Sequence, residues 1–164
     1  MKNNEAFFIT LVLVVIFVLL QSTLNLVPDI ALIIMAFCGA KKGPMNGQIL
    51  GFCNGLAEDF LTVSFPGFNA LIKTLIGFLS GTIKNKIIFD PVIFPSVFIC
   101  LVTIIKGILA ATVAYLFFPQ GFFPAVFSYA FLIEIVLNSL LAPIIYFALK
   151  KTHLIQGDIW GSGK

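Results

Sequence analysis

Residues 43–59 read GPMNGQILGFCNGLAED, an apolar stretch in which glycine recurs at every fourth position. Residues four apart on an α-helix lie on the same face, so this spacing predicts a smooth groove along one side. The groove is lined by Gly43, Gly47, Gly51 and Gly55. Small residues let two membrane helices approach closely. The spacing therefore favours helix packing within the protein, and the alternative is a groove that receives the transmembrane helix of a partner.

The rest of the chain is similarly apolar. Of its 164 residues, 60% are hydrophobic and only 10% are charged, and the mean hydropathy is +1.10. A soluble domain carries about 25% charged residues, so this chain has too few charges to cover a globule. The lipid bilayer is therefore predicted to be its main solvent. The net charge of +3 comes from lysines at segment ends, not from a basic stripe. We therefore exclude nucleic acid as a partner.

Six apolar segments predict an all-α, polytopic membrane protein with about six transmembrane helices. The segments run over residues 6–24, 30–40, 43–63, 69–83, 92–118 and 123–149. The first is long enough to cross about 30 Å of hydrocarbon, whereas the second is short. Residues 21–25 offer no A-x-A-like cleavage site, so we expect the first segment to be retained as a helix. Residues 1–151 then form one integral membrane domain, and residues 152–164 form a short cytoplasmic tail.

The lysines alternate between the connections. They precede the first segment and follow the second, fourth and sixth, at Lys2, Lys41, Lys42, Lys84, Lys86, Lys150 and Lys151. The turns after the first, third and fifth segments contain no lysine. Cytoplasmic loops of membrane proteins are enriched in Lys and Arg. The alternation therefore predicts six spans with both chain ends in the cytoplasm.

Five charged residues fall inside the predicted spans, where ionised groups are costly and are usually paired or functional. Glu58 and Asp59 lie near the outer end of the third segment, at a depth similar to that of Lys73. Adjacent helical residues point about 100° apart, so only one of these carboxylates can face a given neighbour. We expect Glu58 or Asp59 to pair with Lys73. Lys106 and Glu134 are expected to form a second ion pair, with a proton or ion path as the alternative.

No pattern of catalytic or metal-binding residues stands out. The three cysteines, Cys38, Cys53 and Cys100, are isolated in apolar stretches, and the only histidine, His153, lies in the tail. The sequence has no phosphate-binding loop, no zinc-ligand spacing and no nucleophile elbow. We therefore predict a protein that is not an enzyme and has no cofactor or metal.

Several short motifs resemble those of the rod shape-determining protein MreD family. They are Pro28-Asp29-Ile30-Ala31-Leu32, then Gly43-x3-Gly47-x3-Gly51-Phe52-x2-Gly55-Leu56-x2-Asp59, then Gly67-Phe68-Asn69-Ala70-Leu71, and finally Gly77 with Gly81. The motifs cover residues 28–81, and the rest of the chain is similar in hydropathy alone. Asp29, Asp59 and the glycines match the polar and small positions of this family's signature.

The resemblance implies a multi-pass protein of the bacterial inner membrane that binds the bitopic protein MreC. It further implies work alongside the actin-like MreB, a RodA-type glycosyltransferase and a class B penicillin-binding protein in lateral peptidoglycan synthesis, which sets rod shape. No catalytic residues are known for the family, so none is carried over to this chain.

A second function remains open, that of a vitamin-binding S-subunit of an energy-coupling-factor transporter. Such subunits have a similar length and hydropathy. This function requires a sealed pocket that faces outward, and Glu58, Asp59 and Lys73 could line one. The outer turns are short and leave little chain for a lid over such a pocket.

Overall fold

The computed structural model describes residues 12, 16, 28–61, 65–84, 93–117 and 128–151. It contains five helices in this part of the chain, α1 (Ile30–Lys42), α2 (Pro44–Leu61), α3 (Phe68–Thr82), α4 (Ile93–Phe117) and α5 (Tyr129–Lys151). They correspond to the second to sixth predicted segments, and Val12 and Ile16 in the first are also helical. No described residue lies in a strand, so the all-α prediction is confirmed for these ranges.

Helix α1 lies at the centre of the fold. Nine consecutive residues, 31–39, are buried, so the helix is covered around its whole circumference. It begins after Asp29, whose side chain accepts a hydrogen bond from the Leu32 N–H at 2.9 Å. It ends at Gly43, where φ is 102°, and Pro44 starts the next helix. At 1.5 Å per residue, its 13 residues extend about 20 Å, well short of a full bilayer crossing.

Helices α2 and α3 form a tight antiparallel hairpin. The turn between them includes Phe65, Pro66 and Gly67, and Gly67 adopts a φ of 93°. Glycine adopts this left-handed conformation without the steric cost that a Cβ would add. The turn was predicted at residues 64–67, and residue 64 lies outside the described ranges.

Helices α4 and α5 form the second hairpin and are the longest elements, with 25 and 23 residues. Their lengths and apolar composition make them candidate membrane spans. Much of their surface is exposed and apolar. The count of six spans and the placement of both chain ends in the cytoplasm remain predictions. The tail, with His153, lies outside the described residues.

The two hairpins meet around α1. Phe37 of α1 packs against Phe98 of α4 and Tyr146 of α5, with ring centroids 5.9 and 5.5 Å apart. These three rings belong to one hydrophobic core that includes buried residues of all five helices. The centre of the fold is therefore a single helix whose every side touches protein, and polar groups at its start are removed from the bilayer.

Candidate functional site

Asp29 is the centre of a buried charge network. Its side chain is fully buried, and one oxygen, Oδ2, contacts the ammonium groups of Lys73 at 2.9 Å and Lys106 at 3.0 Å. The other oxygen, Oδ1, accepts the hydrogen bond from Leu32 that caps α1. One carboxylate thus serves two cations and a helix N-terminus, where negative charge is favoured.

Each lysine has a second carboxylate partner within its own hairpin. Lys73 of α3 lies 2.6 Å from Glu58 of α2. Lys106 of α4 lies 2.7 Å from Glu134 of α5. Lys73 is 1% exposed, whereas Glu58, Lys106 and Glu134 are 16–18% exposed. The network therefore runs from one half-buried carboxylate to the other through the buried Asp29.

Every described helix contributes one charged residue to this network, with Asp29 serving α1 as its N-cap. The network holds three carboxylates and two ammonium groups, so it carries one excess negative charge when all are ionised. Removing one partner of a buried ion pair is strongly destabilising, because the remaining charge loses its compensation. The geometry therefore fixes the positions of all five helices relative to one another.

Polar uncharged side chains complete the site. Asn138 of α5 accepts a hydrogen bond from the Asp29 N–H at 2.9 Å and donates one to Thr103 of α4 at 3.3 Å. Asn54 of α2 accepts from the Lys73 ammonium at 3.5 Å. All three side chains are fully buried. The sequence analysis missed these three residues. An Asn in the same apolar segment as Glu134 or Glu58 is a sequence signal that could have indicated a polar centre.

Asp59 has a different role from Glu58. Its carboxylate accepts hydrogen bonds from the backbone N–H groups of Gly67, Asn69 and Ala70 at 2.9–3.1 Å. It thereby caps the N-terminus of α3, which Gly67 cannot cap with a side chain. Of the two carboxylates expected near Lys73, the structure thus brings Glu58 to the lysine and directs Asp59 to the backbone.

The glycine groove of α2 is filled by α3. A Cβ added at Gly47 would overlap the carbonyl of Gly77, and one at Gly51 would overlap the carbonyl of Lys73. At Gly55 it would overlap the backbone of Ala70. The backbones of the two helices are therefore in direct contact along this face, and no room remains there for a partner's helix.

Gly43 lies at the start of the groove but outside α2. It lies between α1 and α2 with a φ of 102°, and an added Cβ there would meet only the side chain of Lys84. The backbones of Gly43 and Pro44 meet Gly81 of α3, where an added Cβ would overlap both. Glycine also suits this junction because it adopts a positive φ without the steric cost of a Cβ.

The site is a network of ion pairs and hydrogen bonds between residues of this one chain. Within the described ranges, no group of three or more His, Cys, Asp or Glu side chains is arranged to hold a metal ion. Cys38 is buried, and Cys53 and Cys100 are half-buried free thiols. The carboxylates at the centre are engaged by lysines and backbone N–H groups of the same chain.

Comparison with known proteins gives one match. The family model described as rod shape-determining protein MreD matches residues 5–152, most of the chain. No curated protein and no solved structure matches. The match extends well beyond the motifs of residues 28–81, and it includes every charged residue of the network.

Proposed function

Because this chain belongs to the rod shape-determining protein MreD family, we propose that it is a scaffold subunit of the bacterial elongation complex. Family membership gives it a role in rod shape determination and makes it a membrane protein; the family is structural and is not known as an enzyme. We further propose that the protein resides in the inner membrane as a multi-pass protein and supports lateral peptidoglycan synthesis.

The observation that carries the proposal is the charge network, to which each described helix contributes one charged residue. An enzyme or carrier needs polar groups that are free to meet a substrate. Here Asp29, Lys73 and Lys106 are directed at one another, and most exposed side chains of α4 and α5 are apolar. Such a protein offers a rigid body and an outer surface, which is what a scaffold needs.

The proposed principal partner is an MreC-like bitopic protein, which contributes a single transmembrane helix. Because α3 already fills the glycine groove, we propose that this helix packs against the exposed apolar faces of α4 or α5. Dispersion contacts drive helix association in lipid, so an apolar face is sufficient. A RodA-type glycosyltransferase, a class B penicillin-binding protein and MreB would then assemble with this pair.

The transporter alternative receives less support. A vitamin pocket lined by Glu58, Asp59 and Lys73 needs these groups to face a ligand. Lys73 is buried between Asp29 and Glu58, and Asp59 caps α3. Opening a pocket here would expose charges that now compensate one another, at a cost typical of broken buried ion pairs.

The proposal is tested by a pull-down of the full-length protein from its native membrane in mild detergent. Mass spectrometry should identify a bitopic MreC-like protein at about equal abundance, with cell-wall synthases. Recovery of a vitamin-sized molecule with ATPase subunits, and no bitopic partner, would contradict the proposal.

The same experiment can locate the interface with matched variants. Tryptophan at Ile108 of α4 or at Ile144 of α5 adds bulk to an exposed face, and tryptophan at Leu75 of α3 is the control on the other hairpin. We expect the bitopic partner to be lost from at least one of the first two variants and kept by the third. Loss of the bitopic partner from the Leu75 variant alone would show that the interface lies on α3.

A further inference from the structure

A second charged region lies at the end of the helices opposite the Asp29 network. It consists of lysines in or directly after the last turns of α1, α3 and α5, namely Lys41, Lys42, Lys84, Lys150 and Lys151. We call this set the lysine end. Lys84, Lys150 and Lys151 are exposed, and Lys41 and Lys42 are half-buried.

Contacts between helices place these lysines at one level. Helices α1 and α5 run parallel, because Asp29 bonds to Asn138 and Phe37 packs on Tyr146, each pair being 109 residues apart. The same register brings the last residue of α1, Lys42, level with Lys151. Lys84 reaches the same level, since its ammonium donates to the carbonyl of Lys42 at 3.3 Å.

Negative charge on the described residues is concentrated elsewhere. The four described acidic residues are Asp29, Glu58, Asp59 and Glu134. Glu134 lies about 25 Å along α5 from Lys151, and Asp29 lies about 20 Å along α1 from Lys42, at 1.5 Å per residue. Lys150 and Lys151 therefore present an exposed positive charge at the end of α5, far along the helix from Glu134.

An apolar stripe leads directly to this charge. Leu140, Ile144 and Phe147 of α5 are 63%, 65% and 46% exposed. They are spaced by four and three residues, and Lys151 follows four residues later, so all four lie on one face of the helix. A phospholipid has the same layout, an acyl chain followed by a phosphate, whereas an acidic soluble protein would have no use for the stripe.

We propose that the lysine end binds an anionic phospholipid headgroup at Lys150 and Lys151, with an acyl chain along the α5 stripe. This inference goes beyond the scaffold function and does not depend on it. Basic residues next to a membrane attract anionic lipids of the cytoplasmic leaflet, at about fivefold in affinity for each lysine.

The test is native mass spectrometry of the full-length protein in detergent, titrated with phosphatidylglycerol or with phosphatidylcholine of the same acyl chains. We expect phosphatidylglycerol to bind at least about tenfold more tightly, from two or more lysines at about fivefold each. The triple variant K84Q/K150Q/K151Q should lose this preference. The matched variant K84R/K150R/K151R keeps the charges and should retain it.

Folding is checked by size-exclusion chromatography and thermal unfolding. If the Gln variant does not fold, the unmodified protein provides the test, because added salt should weaken the phosphatidylglycerol preference by screening. Equal binding of the two lipids, or a preference that survives both the Gln substitutions and high salt, overturns the proposal.

Two further results would show that the lysine end binds a different ligand. If soluble glycerol phosphate binds as tightly as phosphatidylglycerol, the site recognises a free phosphate and the lipid assignment is wrong. If the Gln variant keeps its lipid preference but loses a cytoplasmic protein in a pull-down, the lysine end is a protein interface.

Discussion

The two hairpins of this protein hold their helices together in different ways. In the α2–α3 hairpin, glycines bring backbone against backbone, and an added Cβ at Gly47 or Gly51 would overlap a carbonyl group. In the α4–α5 hairpin, side chains separate the helices, and its one described glycine contact, Gly107, faces the ring of Phe131. The α2–α3 contact depends on the absence of side chains at its glycines, whereas the α4–α5 contact depends on side chains that can adjust.

The ion pairs show the same difference between the two hairpins. Both hairpins hold a Lys–carboxylate pair, but Lys73 is 1% exposed and Lys106 is 18% exposed. The α2–α3 hairpin is thus the more rigid and less forgiving half by both measures. Asp29 connects the halves, so the difference between them can be measured by changing each half and the connection in turn.

The largest effect is expected from Gly51→Leu in the tighter hairpin. The new side chain would occupy the space of the Lys73 backbone, which cannot move away without displacing the whole of α3. We expect loss of the folded protein, corresponding to more than about 4 kcal/mol, as for other exceptional packing defects. Size-exclusion chromatography of the detergent-solubilised protein shows whether folded protein is recovered.

The control for this variant is Ile49→Leu, two residues away on the same helix. Ile49 is exposed, so the exchange of one apolar side chain for another should leave folding unchanged. A Gly51→Leu protein that elutes and unfolds like the control would show that the helices are not in backbone contact.

The next effect concerns the connection between the hairpins, tested by Asp29→Asn. Asparagine can still cap α1, but both lysines lose their shared carboxylate. We expect a destabilisation of about 3–5 kcal/mol, the usual result of removing one partner from a buried ion pair. Thermal unfolding in detergent provides the measurement.

Asp59→Asn is the matched control for this change. Asp59 also lies at a helix N-terminus, but its partners are backbone N–H groups and not lysines. Its loss should cost only about 1 kcal/mol, as for a weakened N-cap. Equal losses for the two variants would mean that the shared carboxylate adds nothing beyond capping.

A smaller effect is expected from exchanging charges in the looser hairpin. Lys106→Glu should be destabilising, and Glu134→Lys added to it should recover about 0.5–3 kcal/mol if the two residues interact. Recovery will be incomplete, because Glu at position 106 would also face Asp29.

Chemical denaturation of the single and double variants measures this coupling. Lys106→Glu combined with Thr82→Lys is the control, since Thr82 is exposed on α3 and the two changes should be additive. Full recovery in the charge-exchanged protein would remove Asp29 from the contacts of Lys106.

Local spacing in the sequence predicted close helix packing at Gly47, Gly51 and Gly55, because these positions recur within one helix, but it did not identify α3 as the helix that packs there. The pairing of Lys106 with Glu134 was also expected from their similar depth in adjacent antiparallel segments. The structure places these two residues 2.7 Å apart, and their role remains a prediction.

The connecting role of Asp29 could not be predicted in this way. Its partner Lys106 lies 77 residues away, and the contact depends on how the two hairpins pack on α1. The capping role of Asp59 was hidden for a related reason. Its carboxylate binds backbone groups, which every sequence has, so no residue pattern marks the partner.

The smallest effect is expected from Gly107→Ala, which can be compared directly with Gly47→Ala in the other hairpin. Gly107→Ala places a methyl group against the ring of Phe131, which can rotate or shift, so we expect a cost of about 1 kcal/mol, at the low end for overpacking. Gly47→Ala adds the same methyl group against backbone and should cost several times more. Adding Phe131→Leu should relieve the Gly107→Ala defect, whereas no single side-chain change can relieve the defect at Gly47. If thermal unfolding gives equal losses for the two alanine variants, the rigidity assigned to α2–α3 is not a property of its backbone contact.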